Sequence, residues 1–190
     1  MDFKLDIQIK VLSPELIDDF LFYFDNVAFS DNPDWAACYC HFYHFKGKTK
    51  AFSKRTAKDN RESSKKLILS GKMHGLIAYY DNKPVGWCNV NSKENYTKIP
   101  FKEDSQEKIA SIICFIIAPS YRKQGLARKL LRYACTSSQD KGYDLIEVYP
   151  RKGKNLSEAH SYRGPASLYL SEGFYIYKEF KDYYVMRKNL

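Results

Sequence analysis

The chain has 190 residues, 44% of them hydrophobic, which is enough for one substantial core and too few to expect two. No run approaches the roughly 20 apolar residues of a membrane helix, and residues 2–10 alternate charges where a signal peptide would have an apolar centre. Five cysteines at no disulfide-framework spacing fit free thiols in a reducing compartment, so a single domain over residues 1–190, cytoplasmic and without a membrane partner, is the expectation. The net charge of +9 admits an anionic partner, whether nucleic acid, membrane or a phosphorylated cofactor, although a solvated lysine-rich surface explains most of it. Its basic residues are scattered, however, with modest concentrations at 46–55, 122–132 and 151–154, and no nucleic-acid module accompanies them, so nucleic acid is not expected.

In residues 3–11 apolar side chains occupy every odd position, Phe3, Leu5, Ile7, Ile9 and Val11, which is the period of a half-buried strand. Ser13, Pro14 and Glu15 then supply an N-cap, a first-turn proline and an acid at the positive helix end, opening a helix through Phe24. Residues 25–54 are aromatic and irregular, turned at Asn32-Pro33 and in part helical. A second surface helix fits 55–70, closed by Gly71. The apolar runs 76–80 and 85–90 flank turn residues 81–84 and describe an antiparallel hairpin, and after a polar loop the nearly continuous apolar run 109–117 suits a strand covered on both faces. Leu126, Ala127, Leu130, Leu131 and Ala134 draw a helical stripe over 125–138; 143–149 reads as a strand, 163–172 as a short helix ended by Gly173, and 174–180 with 183–187 as a closing hairpin. This order predicts a mixed sheet with helices packed on its faces.

The chemistry concentrates where the strand 109–117 passes through Ala118-Pro119-Ser120-Tyr121 into Arg122-Lys123-Gln124-Gly125-Leu126-Ala127 and the amphipathic helix. Unpaired N–H groups and the macrodipole at a helix start bind phosphate oxygens, and small residues such as Gly125 and Ala127 let the anion reach the backbone. Arg122, Lys123 and Arg128 add positive charge, so a pyrophosphate suits this turn. Neither a Walker loop nor a Gly-x-Gly-x-x-Gly fingerprint is present.

Arg122-x-x-Gly125-x-Ala127, preceded by Pro119, resembles the Arg/Gln-x-x-Gly-x-Gly/Ala signature of the GNAT N-acetyltransferase superfamily, and Leu168-Tyr169-x-x-x-Gly173-Phe174 resembles that family's downstream segment. The resemblance implies an α/β (α+β) fold with a central mixed, mostly antiparallel sheet of about seven strands and helices on both faces. It implies acetyl-CoA as donor cosubstrate, with the pyrophosphate on the amides of Lys123, Gln124, Gly125, Leu126, Ala127 and Arg128 beside Arg122, and the pantetheine arm along Phe115 and Ile117. The acetyl group would pass directly to a primary amine of a small molecule, with Tyr169 as proton donor to the departing thiolate and no metal. Tyr162 stands seven residues before Tyr169, where the family commonly has asparagine. The alternative is a catalytically silent acyl-CoA-binding or regulatory protein of the same fold.

Other features carry less. Cys38-x-Cys40-His41-x-x-His44 holds zinc-type ligands, but no second cluster exists to close a site, and a packed or pocket-lining aromatic segment with Trp35, Tyr39, Phe42 and Tyr43 is the better account. Glu147, Glu158 and His160 are candidate bases that no spacing fixes. Abundant surface aromatics leave a homodimer open.

Overall fold

The structure, a computed structural model, describes residues 6–153 and 161–190. Strand β1 covers Gln8–Val11 and is followed by a 3-10 turn at Pro14–Leu16 that runs into helix α1, Ile17–Asn26. Pro14 starts this turn as expected, but the Ser13 side chain does not cap it. Short 3-10 turns at Pro33–Cys38 and Phe42–His44 and the small helix α2, Thr49–Phe52, account for the irregular aromatic stretch. Helix α3, Ala57–Leu69, opens on a capping box in which Thr56 and Asp59 satisfy each other's backbone N–H.

Strands β2, Leu76–Tyr80, and β3, Lys83–Ser92, form the hairpin. Asp81 and Asn82 both have positive φ, which fits a two-residue turn that follows the strand twist, so the expected turn shortens by two residues and Pro84 falls inside β3. Strand β4, Ile109–Ile117, is followed by helix α4, Leu126–Asp140, strand β5, Leu145–Val148, helix α5, Ala166–Ser171, and the hairpin of β6, Tyr175–Glu179, and β7, Tyr184–Asn189. Helix α5 is shorter than the predicted 163–172 because Pro165 disfavours helical backbone in the residue before it.

The seven strands make one sheet in the order β1-β2-β3-β4-β5-β7-β6. Among the described residues only β4 and β5 are parallel neighbours, as α4 carries the chain across between them. One face packs against α1 and α3, with Phe20, Tyr23 and Phe24 around Trp87 and Ile113. The other packs against α4 and α5, where Leu126, Leu130, Leu131 and Tyr169 meet Val85, Ile112, Phe115 and Val148. The strand β4 is thus covered on both faces, which is why its sequence lacks alternation. The α/β sheet with helices on both faces is the architecture the sequence predicts.

Two irregularities in β4 part the sheet at its centre. Opposite β3 the register steps from Val90↔Ile112 to Asn89↔Cys114, so Ile113 is an extra residue and the strand bends there. Beside β5 the pairing ends at Ile112↔Val148, while β4 continues to Ile117 with β3 alone as its partner. The sheet therefore splays along residues 113–117.

Candidate active site

The splay opens into a cavity of about 1280 Å³. Its floor is the outer edge of β4, from Cys114 to Ile117; one end is the turn from Tyr121 to Arg128, and the other is walled by Trp35, Cys38, Cys40, Phe42, Tyr43 and Tyr162. Phe115, Ile117, Arg122, Lys123, Gly125, Leu126, Ala127 and Arg128 line this space, whereas Gln124 and Tyr169 are not among its lining residues.

At the turn, Gly125 is the N-cap of α4 with φ 79°, and Lys123 has φ 58°, so successive N–H groups face one concavity. The first main-chain bond into the helix runs from the Lys129 N–H to the Gly125 carbonyl, which leaves the N–H groups of Leu126, Ala127 and Arg128 ahead of the helical ladder. A Cβ added at Gly125 would meet no atom within 4 Å, so the side toward the cavity is open and the glycine is required by its backbone angle. Gln124 turns its amide back onto the Ser120 carbonyl at 2.7 Å and presents only its backbone. Pyrophosphate fits such a cradle.

The cations around the turn are more engaged than the sequence reveals. Arg122 donates through both terminal nitrogens to Asp31, at 2.5 and 3.0 Å, and through Nε to the Ile117 carbonyl at 3.0 Å. That fork holds the Asp31 carboxyl below its usual range, chiefly by hydrogen bonding. Arg128 reaches Glu172 at 2.7 Å, which Arg132 shares at 2.8 Å. Arg122 therefore ties β4, the turn and the aromatic segment together. Asp31, ninety-one positions away, carried no signal in the sequence.

Along the floor, the Phe115 N–H donates to the Tyr162 carbonyl at 2.6 Å, and Phe115 turns its side chain into the core beneath α4. Strand alternation sets Ile117 facing the same way, and its side chain packs against the same cluster. Both Phe115 and Ile117 line the cavity, each with a protein partner on its edge.

Tyr169 lies elsewhere. Its ring is fully buried against Phe174, 5.4 Å between centroids, and its hydroxyl donates to the Arg163 carbonyl. A Cβ on Gly164 would stand 2.7 Å from that hydroxyl, so Gly164 separates it from the cavity it lines. Burial pushes this phenol well above its ordinary value.

The thiols of the aromatic segment turn to the cavity and its imidazoles pack away from it. Cys38, Cys40 and Cys114 line the cavity, and Asn89 donates to the Cys40 sulfur at 3.1 Å. His41 packs by Phe45 and Phe52, and His44 by Tyr96. Among the described residues no group of three or more His, Cys, Asp or Glu side chains gathers into a metal site. Glu147 is fully buried, 2.7 Å from both Lys93 and Arg187 and 2.5 Å from the Tyr149 hydroxyl, and does not face the cavity. Glu158 and His160 lie outside the described residues.

With this geometry in view, the sequence matches the profile of the Acetyltransferase (GNAT) family over residues 34–163. The chain belongs to that family. Solved structures with the same fold include PaiA N-acetyltransferase from Thermoplasma acidophilum in complex with coenzyme A, 18% identical over 98% of this chain and 100% of that one, TM-score 0.59. A GNAT-family acetyltransferase from Streptococcus pneumoniae is 16% identical over 97% and 99%, TM-score 0.57, and ribosomal-protein-alanine N-acetyltransferase from Brucella melitensis 15% identical over 96% and 99%, TM-score 0.56. No curated protein matches the sequence. The GNAT fold places the matched signature at the α4 turn and the second motif on α5. No described helix of this GNAT chain is long and apolar enough to cross a membrane.

Proposed function

We propose that this GNAT-family chain moves an acetyl group from acetyl-CoA to the primary amine of a small molecule. The observation that carries the reading is the single cavity that joins an anion cradle at the start of α4 to the splayed edge of β4. The pyrophosphate sits on the backbone from Lys123 to Arg128. The pantetheine arm follows Phe115 and Ile117, and the thioester comes to rest near Tyr162, whose carbonyl is fixed to β4. At about 1280 Å³ the space exceeds a single drug-sized ligand site, leaving room for an acceptor between the aromatic walls. The neutral amine attacks the thioester carbon directly, and held reactants supply much of the rate through proximity.

A proton must reach the coenzyme sulfur as the C–S bond breaks. Tyr162 and Tyr43 are phenols on the cavity wall at that end, whereas Tyr169, the acid that the family resemblance nominates, is buried behind Gly164. The test is thiol release from acetyl-CoA across a panel of primary amines. Acceptor-dependent release by the wild type, lost in Gly125→Glu, is the expected result; binding of acetyl-CoA with no release by any amine would favour the silent binding protein.

A further inference from the structure

Three side chains at the acyl end of the cavity determine where a free proton can sit. Arg163 donates to the Tyr43 hydroxyl from Nη2 at 2.8 Å and from Nε at 3.2 Å. The hydroxyl oxygens of Tyr43 and Tyr162 are 3.1 Å apart. A guanidinium has donors only, and a phenol oxygen accepts about two hydrogen bonds. Tyr43 therefore has its lone pairs taken by arginine, and its own proton points to the Tyr162 oxygen. The Tyr162 proton is then the one for which the trio offers no acceptor.

The surroundings aim that proton at the chemistry. Tyr162 and Tyr43 both line the cavity, and the Tyr162 ring is steadied by Trp35, 5.6 Å between centroids, and by the Arg163 guanidinium, 5.6 Å from its centroid. The 2.6 Å bond from the Phe115 N–H fixes the Tyr162 main chain to β4. Burial holds the Tyr43 phenol well above its ordinary value, so Tyr43 stays a donor. By contrast the Tyr169 hydroxyl is spent on the Arg163 carbonyl behind Gly164.

We propose that Tyr162 is the catalytic residue that protonates the coenzyme sulfur, with Tyr43 and Arg163 as positioning residues behind it; this rests on the transfer reading above. The amine nitrogen forms a bond to the thioester carbon, and the tetrahedral intermediate collapses with the C–S electron pair leaving on sulfur. The Tyr162 hydroxyl proton moves to that sulfur. The phenolate left behind accepts the Tyr43 hydrogen bond and lies beside the Arg163 cation, and solvent returns a proton to it while taking one from the former amine. The products are the acetamide and coenzyme A thiol.

The test compares wild type, Tyr162→Phe and Tyr169→Phe. Titration of each with coenzyme A and with desulfo-coenzyme A across pH needs no acceptor: a donor at the sulfur favours bound thiolate, so the bound thiol should titrate about one pH unit lower in wild type than in Tyr162→Phe. Arg163→Gln should shift the same titration upward and Arg163→Lys should restore it. In turnover, Tyr162→Phe should lower kcat about 100-fold with little change in KM for acetyl-CoA, and by more than Tyr169→Phe does. An unchanged thiol titration in Tyr162→Phe, or a larger kcat loss in Tyr169→Phe, would overturn the assignment. Absence of coenzyme A binding by the wild type would instead remove the transfer reading, and the assignment with it.

Discussion

Asp31 and Glu172 change the meaning of the basic residues around α4. In sequence Arg122, Lys123 and Arg128 are a cluster waiting for phosphate; in the structure Arg122 is forked onto Asp31 and Arg128 is paired with Glu172. The N–H groups of Leu126, Ala127 and Arg128 ahead of the helical ladder are then what the turn offers an anion, and the paired arginines fix its shape. Glu147 shows a second such reversal. Its carboxylate is fully buried and answers both Lys93 and Arg187, with Arg187 also on Glu103, so its role is structural. Removing one member of a buried ion cluster strands the others without compensation, at about 3–5 kcal/mol. Glu147→Gln should therefore lower the urea midpoint steeply while coenzyme A affinity in the remaining folded protein stays unchanged; a midpoint within error of wild type would contradict this placement.

Among the elements, those governed by local rules are legible in the sequence. The stripe of Leu126, Leu130 and Ala134 sets α4, and the apolar run 109–117 sets β4. The turn at Asp81-Asn82 and the start of α3 at Thr56 are less so, because a two-residue loop and a capping box are decided by backbone angles that neighbouring polar residues disguise. The bulge at Ile113 and the splay of β4 from β5 depend on pairing with distant strands, and no local pattern announces them. The segment 33–44 is least legible: Tyr43, His41 and His44 are all buried, yet Tyr43 lines the cavity while the two histidines pack away from it. Burial holds both imidazoles near 4, against an ordinary value of 6.5. The unfolded chain takes up protons between those values that the folded chain refuses, so stability is complete above about pH 6.5 and drains as pH falls toward 4. For His44 the interval from 6.5 to about 4 corresponds to about 3 kcal/mol. Thermal unfolding followed between about pH 7.5 and pH 5 should show this fall, and His44→Gln should flatten it; a slope unchanged by His44→Gln would count against a buried neutral imidazole.

For the whole molecule, the walls of the cavity come from segments far apart in the chain. Residues 31–43 supply Asp31, Trp35 and Tyr43, while the motif residues and Tyr162 lie beyond position 114, and the sheet order brings them to one splay. The motifs at Arg122–Ala127 and Leu168–Phe174 made the family legible, whereas the aromatic wall became visible only when the fold closed. The net charge of +9 is spread along the chain, with one concentration of basic residues, 122–132, around the start of α4. The most direct test of this account is isothermal titration of the protein with acetyl-CoA, beside the Gly125→Glu variant, which places a carboxylate and a strained backbone at the cradle. One site per chain with an affinity on the order of micromolar, abolished in Gly125→Glu, is the predicted result. No heat with the wild type, or equal binding by the variant, would contradict the assignment of the α4 turn and the cavity to the coenzyme.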